Sequence, residues 1–552
     1  MDGTENDRDA TQWDRTVDVI VLGTGAAGLA AAIAAHDGGA EVLVLEKADM
    51  IGGTTGVSGG MPWIPCNRHM AEVGVGDSRE EALAYIGRLT LGREPDPALI
   101  ERYVDKATDV IHYLEAHTPL RLSAPPSFSD YFADQVGGKP CGRSLEPEPF
   151  DARSELGDWA PRLRTSPFMP RLTMAEGGKY QMGEPVDMSV IGEREAADVR
   201  VLGGGLVAAL FKGLLDRGIE TLTRTRAVEL VAREGAVTGV IADAAEGRLH
   251  LWARRAVVLA CGGFEWNQDM VKAFVGRPVV ALSPPYNEGD GHRMAMRVGA
   301  ELGNMYSVWG QPAVVDPTVV YEGRPLYQFE VLRNLAGTVM VNRHGERFTN
   351  EGVAYNDMTK AFGAFDPVTI DYPNRSPAWL IFDDDFRQRW PILSILPGSP
   401  TPDWLPHAST LHELAAQIDI DADALERTVS TWNTYAEKGE DPEFHRGTVW
   451  WEAFSTGGPS AKKNIGPVYQ PPFYALAIHD GVLGTNGGMR ITVDGEVRHV
   501  DGGTVPGLYA AGNASANVFG PTYPGGGATI GPALTFGFLA GQHGAARTPR
   551  QP

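Results

Sequence analysis

The stretch from Val17 to Glu46, VDVIVLGTGAAGLAAAIAAHDGGAEVLVLE, restricts what this chain can fold into more than any other part of it. Asp18 to Leu22 is a short apolar, β-branched run, the pattern of a buried parallel strand. It turns directly into Gly23-Thr24-Gly25-Ala26-Ala27-Gly28, and an alanine-rich helix follows to about His36. A second apolar run, Glu41 to Leu45, ends in Glu46, close to the ~20-residue spacing at which a carboxylate meets a ribose. Gly23 permits the tight turn, Gly25 lets backbone approach a pyrophosphate, and Gly28 brings the helix close to the strand. The helix N-terminus then offers N–H groups to the phosphate. A solitary GxGxxG is weak evidence, but here strand, glycines, helix, second strand and acid all fall in order. That order predicts a bound dinucleotide, with Ala26 and Ala27 at its phosphates. A βαβ unit without a ligand explains the strands but not the glycines.

The chain beyond it supplies further cofactor candidates. Lys47 follows the acid, and a loop rich in glycine and hydroxyls comes next, with Gly53, Thr54, Thr55, Ser58, Gly59 and Gly60 able to wrap a flat ligand. Trp63 either covers that ligand or fills core. Residues 79–117 carry the periodicity of two amphipathic helices. Residues 118–200 lose periodicity and gather proline, glycine and aromatics, which predicts an irregular functional cover. Gly203 opens another helix, and residues 221–242 read as strand and hairpin, with Arg226 and Ala227 as contacts. Ala256 to Gly263 is a buried strand that ends in small residues, so Ala260 and Gly262 can abut a cofactor. Composition shifts near 280, where Asn287 to His292, with Asp290 among them, lead into a helix, and residues 410–437 read as helical. The first pattern returns near 480: Leu508-Tyr509-Ala510-Ala511-Gly512-Asn513 looks like another strand meeting cofactor. Gly525-Gly526-Gly527-Ala528-Thr529-Ile530 then opens the last helix, whose positive end suits anionic charge on a ligand.

The expected architecture is α/β, a discontinuous Rossmann-like domain of the glutathione-reductase type with an inserted α+β catalytic domain. Its boundaries are a disordered acidic tail over 1–16, a cofactor domain over 17–280, the insertion over 281–479, and the cofactor domain again over 480–552. A net charge of −22 argues against nucleic acid and anionic membrane as partners, because both repel an acidic surface. Cys66, Cys141 and Cys261 are widely spaced, giving neither a disulfide framework nor a metal cluster, and suit a reducing cytoplasm. The tail lacks the basic and apolar regions of a signal peptide. No run approaches the ~18 apolar residues of a membrane span.

Taken together, the cofactor loop, NEGDGH, GERFTNE, GTNGG and YAAGN with its glycine-rich helix resemble the succinate dehydrogenase/fumarate reductase flavoprotein superfamily. Within it, the chain looks most like the 3-ketosteroid Δ1-dehydrogenases, from about Val17 to Gln542. Residues 145–195 match least. The resemblance implies non-covalent FAD, since no histidine stands in the attachment context near Ser58. Fumarate reductases clamp a dicarboxylate with arginines and a histidine; at the matched positions this chain has Tyr355, Tyr523 and Gly484. By resemblance, Tyr523 and the Gly527 N–H hold a ketone oxygen, Tyr355 as tyrosinate takes the α-proton with help from Tyr131, and flavin N5 takes a hydride. Tyr180 is a further candidate acid or base, ranked below Tyr355. The implied reaction is α,β-desaturation of a cyclic ketone, a 3-ketosteroid first and a monocyclic ketone as alternative, with a quinone or another small electron acceptor. A fumarate-reductase-like ene reductase and a non-catalytic flavin carrier are the competing readings.

Overall fold

The structure is a computed structural model that describes residues 13–126, 128–181, 186–452 and 461–552. The βαβ unit forms as expected: β1 (Arg15–Leu22), α1 (Ala26–Asp37) and β2 (Val42–Leu45), with both strands buried through their centres. The chain later adds α2 (Leu202–Asp216), β3 (Glu220–Leu222), β4 (Gly247–Leu259), β5 (Thr504–Ala510) and α3 (Ile530–Ala545). The strands lie in the order β3-β2-β1-β4-β5, all parallel. This is the doubly wound order, and its reversal falls between β1 and β4, where such sheets bind ligands at the strand C-termini. The hairpin of Arg226–Arg233 and Ala236–Ala244 pairs antiparallel with the first half of β4.

Small residues decide how the helices cover this sheet. A Cβ built on Gly537 would sit 2.3 Å from the Ala27 carbonyl oxygen, and one on Gly541 would sit 2.1 Å from that of Ala31. The backbones of α1 and α3 therefore nearly touch, and any side chain at either glycine forces them apart. Both helices start at the same end of the sheet, which puts their N-termini beside the strand ends.

Val280–Ala281 and Gly481–Thr485 run parallel to each other, where the chain departs from the sheet and where it comes back. Between them, Thr338–Val341, Ala378–Phe382, Phe473–Ile478 and His407–Ala408 build a separate antiparallel sheet. Its alternation is regular: Val339, Val341 and Ile381 face Leu425 and Trp432 of the helical layer, while Met340 and Leu380 face Phe362 and Phe386. Among the described residues no helix is long and apolar enough to cross a membrane.

Three expectations need correction. The expected tail over 1–16 is too long, because β1 begins at Arg15 and Trp13 packs edge-on against Trp252 at 5.0 Å; residues 1–12 lie outside the described residues. The cover segment is not wholly irregular. It holds helices at Met174–Gln181 and Ser189–Ala197. The first has two internal glycines and is capped from a distance, the Glu146 carboxylate accepting from the Met174 N–H at 2.5 Å, so no local pattern announces it. Residues 53–60 are not all loop, because Gly53–Val57 form a short helix; residues 410–437 are helical as expected, in two pieces, Leu411–Gln417 and Ala422–Lys438.

Candidate active site

The turn after β1 is built by close approach. Gly23 has φ 110°, and a Cβ there would lie 2.4 Å from the Ala260 carbonyl oxygen at the end of β4. A Cβ on Gly28 would meet the Gly23 oxygen at 2.0 Å, so α1 can pack onto its own turn only with glycine there. Gly25 stands at the helix N-cap without a side-chain cap, and the first turn carries no acid. The Glu46 carboxylate accepts from the Thr24 N–H at 3.2 Å and hydroxyl at 2.5 Å, and from the Ala48 N–H at 2.9 Å. The acid at the end of β2 is thereby locked to the glycine turn. Lys47 reaches Glu288 at 2.9 Å and Asp290 at 2.8 Å, and Arg226 reaches Asp290 at 2.6 Å. Three candidate contacts distant in sequence thus form one ion cluster.

One cavity of about 750 Å³ opens over these elements. Gly23, Gly25, Ala26 and Ala27 line it, as do Glu46, Lys47, Gly53, Thr54, Thr55, Ser58, Gly59 and Gly60. Arg226, Ala227, Ala260, Gly262, Asp290, Gly512, Asn513, Thr529 and Ile530 complete that branch. Gly28 stands behind the turn instead, in its packing role. Trp63 turns out to be core: it is fully buried, and its indole N–H donates to Asp130 at 2.7 Å. The Met174 sulfur lies 3.7 Å from where a Gly59 Cβ would be, so the cover segment roofs the cavity. A helix N-terminus without an acid in its first turn, a glycine cradle and a carboxylate at the ribose spacing fit FAD.

At the same cavity the structure brings Tyr131, Tyr355, Tyr523 and Gly527 together. The Tyr131 hydroxyl donates to that of Tyr355 at 2.6 Å. The Tyr523 ring lies 5.5 Å from each of the other two, stacked on Tyr131 and edge-on to Tyr355. Tyr131 and Tyr523 are buried, while Tyr355 keeps part of its surface open to the cavity. The Gly527 N–H and the Thr529 hydroxyl approach the Tyr523 oxygen. Gly527 has φ 99°, and a Cβ there would strike the Met61 carbonyl oxygen at 2.2 Å. Burial holds Tyr131 and Tyr355 well above the ordinary tyrosine range and raises Tyr523 as well. A standing tyrosinate at Tyr355 is therefore costly in this site, even with the Tyr131 hydroxyl donating to it.

At the place matched to the dicarboxylate histidine stands Gly484, where a Cβ would lie 2.4 Å from the Asn513 amide nitrogen, so a side chain there has to displace that amide. The arginines lining the cavity each face an acid, Arg164 with Glu322, Arg226 with Asp290 and Arg333 with Glu330. Tyr180 falls on the helix Met174–Gln181, but its side chain lies outside the described part.

Sequence reasoning missed the groups that hold the tyrosines in place. Asp130 accepts from Trp63, from the Lys139 N–H at 3.0 Å and from Arg143 at 2.8 Å, and Arg143 also pairs with Asp77 at 2.6 Å. Burial pushes the Asp130 carboxyl up to about 6 despite that arginine. The Tyr131 N–H donates to the Pro524 carbonyl at 3.1 Å, as does the Tyr85 hydroxyl at 2.6 Å. This network pins the Tyr131 loop to the Tyr523–Gly527 loop. Trp309 and Trp451 were missed too; they pack on Tyr523 at 5.2 Å and on Tyr131 at 4.0 Å. The adjacency of Asp130 to Tyr131 was the one local hint.

The family model described as FAD binding domain matches residues 18–530. The 4-oxocyclohexanecarboxylate 2-dehydrogenase of Sinomonas cyclohexanicum is 37% identical, over 96% of this chain and 92% of that protein. A 3-oxosteroid 1-dehydrogenase of Mycobacterium tuberculosis is 35% identical, over 95% of this chain and 98% of its own. Among solved structures, the 3-ketosteroid Δ1-dehydrogenase of Sterolibacterium denitrificans in complex with 1,4-androstadiene-3,17-dione superposes with a TM-score of 0.88. It is 35% identical, with 96% of this chain and all of that one covered. The chain belongs to this FAD-binding family: it is a flavoprotein oxidoreductase of the 3-ketosteroid dehydrogenase type.

Proposed function

We propose that the protein desaturates a cyclic ketone by removing hydrogen from the α and β carbons on one side of the carbonyl, 1,2-desaturation of a 3-ketosteroid being the first reading. The hydroxyl contact of Tyr131 with Tyr355 beside Tyr523 carries it. FAD, held without a covalent link by the glycine turn, Glu46 and the segment from Gly53 to Gly60, supplies the hydride acceptor. The Tyr523 hydroxyl and the Gly527 N–H hold the ketone oxygen and stabilise charge that develops on it. That polarisation acidifies the α-proton, which passes to Tyr355. Tyr355 takes it as tyrosinate and ends as the neutral phenol, and the Tyr131 hydroxyl donates to the Tyr355 oxygen while that oxygen still carries the charge. Because burial makes a free tyrosinate costly, proton abstraction and carbonyl stabilisation proceed together. Trp309 and Trp451 keep water from the trio.

A smaller ring acid or monocyclic ketone is the second reading, favoured by the 37% identity to a dehydrogenase of 4-oxocyclohexanecarboxylate. The acceptor that reoxidises the flavin is a quinone or another small molecule, because the chain has no second glycine-turn-and-acid unit for a nicotinamide. The setting we propose is the cytoplasm.

An anaerobic screen tests the reading. The purified protein should be yellow, should release intact FAD on acid precipitation, and should bleach with a steroidal or monocyclic ketone. The Tyr523→Phe variant should bleach roughly 100-fold more slowly, the usual loss on removing one donor from an oxyanion site. Turnover of fumarate with a reduced dye, without bleaching by any ketone, overturns it.

A further inference from the structure

The cover segment reaches across the cavity to the hairpin of Ala313–Tyr321 and Arg324–Phe329 and touches it twice. Arg164 is buried, pairs with Glu322, donates to the Tyr321 hydroxyl at 3.3 Å and lies 5.0 Å over the Tyr286 ring. A few residues on, Phe168 packs edge-on against Phe329, with ring centres 4.8 Å apart. The Ser166 hydroxyl accepts from the Met169 N–H at 3.0 Å and folds the backbone so that Phe168 projects to its partner. Both rings line the cavity, and exposed Pro170 and Val331 flank them along its wall. The contact therefore stands at the mouth.

Trp309 packs on Tyr523, and the chain continues along residues 479–485 to Ala313, which pairs with Phe329. Ala313 stands four residues from Trp309, at most on the order of 13 Å along the chain at about 3.3 Å per residue. The wall between is apolar, with Val314, Leu332, Leu335, Trp390 and Leu476. Phe168 and Phe329 line the same cavity as Tyr523 and Gly527.

We infer that Phe168, paired with Phe329, is a specificity-determining gate that reads the end of the ketone remote from its carbonyl. This rests on the proposed ketone chemistry. The rings fill the mouth in mutual contact, so a longer fused-ring ketone has to part them and lose their edge-to-face attraction, whereas a single ring does not. Arg164 keeps the gate closed by tying the cover to the hairpin. Phe168 lies within residues 145–195, where a substrate preference of this chain's own can reside.

The test compares cyclohexanone with 4-androstene-3,17-dione on the holoenzyme and on Phe168→Ala and Phe329→Ala. Two quantities are read: the rate of flavin bleaching, and the dissociation constant from the perturbed spectrum of the oxidised flavin, which needs no turnover. Either truncation should shift both preferences at least tenfold toward the steroid, and the double variant should shift them little further. Preferences that stay within twofold in both variants, or move toward cyclohexanone, overturn the gate. If no ketone bleaches the flavin but the binding preference still shifts, the gate stands and the proposed chemistry fails.

Discussion

At the residue scale the decisive fact is that the phenol proposed as base is buried. Tyr355 sits against two other tyrosines, and burial holds it well above the ordinary range near 10. A base must be deprotonated to act, and raising its pKa lowers the reactive fraction at every pH below it. Flavin bleaching at limiting ketone should therefore rise with pH from 7 to 10 without a plateau. A plateau near neutrality would place the base on another group. Tyr355→Phe should retain FAD and lose at least ~100-fold in bleaching rate, the usual size of general-base catalysis. Near-normal bleaching would move the role to Tyr180. Gly484 makes the complementary point, since it carries no imidazole for a dicarboxylate and has the Asn513 amide beside it instead.

At the scale of elements, what holds the site is a set of buried polar ties between segments far apart in the chain. Asp77, Arg143 and Asp130 form a buried ion triad beneath the Tyr131 loop. Removing one partner of a buried pair costs roughly 3–5 kcal/mol, and Asp77 staying with Arg143 puts Asp130→Ala near the lower end, about 3 kcal/mol. The melting temperature should fall, and bleaching should slow through misplacement of Tyr131; an unchanged melting temperature would show that the triad does not hold the loop. The same distinction explains what could be read from the chain beforehand. The βαβ unit was legible because strand, glycines, helix and acid are neighbours in sequence. The tyrosines were legible only through motifs around them, since Tyr131 and Tyr355 meet across 224 positions. Trp63 could not be assigned, because its partner Asp130 lies on another segment. The helix at Met174 was invisible because its cap comes from Glu146.

At the scale of the molecule, the cavity joins two separately folded layers. One wall is the end of the parallel sheet, with Leu22 to Ala27, Leu45 to Ala48 and Ala260 to Gly262. The facing wall runs from Glu330 to Leu335 and includes Tyr355 and Leu476, beside the antiparallel sheet, while the cover closes the roof. Such a gap between layers is where a ligand stabilises a fold most directly, because it binds the closed arrangement and not the unfolded chain. A ligand at a hundredfold excess over its dissociation constant adds about 2.7 kcal/mol. Even for a chain larger than the ~150–250-residue proteins in which each kcal/mol moves the midpoint by about 2–4 °C, that amounts to a few degrees. The melting temperature of the apoprotein should therefore climb steadily with the logarithm of added FAD. Glu46→Ala should flatten that climb, because the glycine turn loses the carboxylate that holds Thr24 and faces the cavity. A calorimetric series of apoprotein with increasing FAD decides it: a midpoint indifferent to FAD in the wild type would mean that the cavity between the layers is not where the cofactor binds.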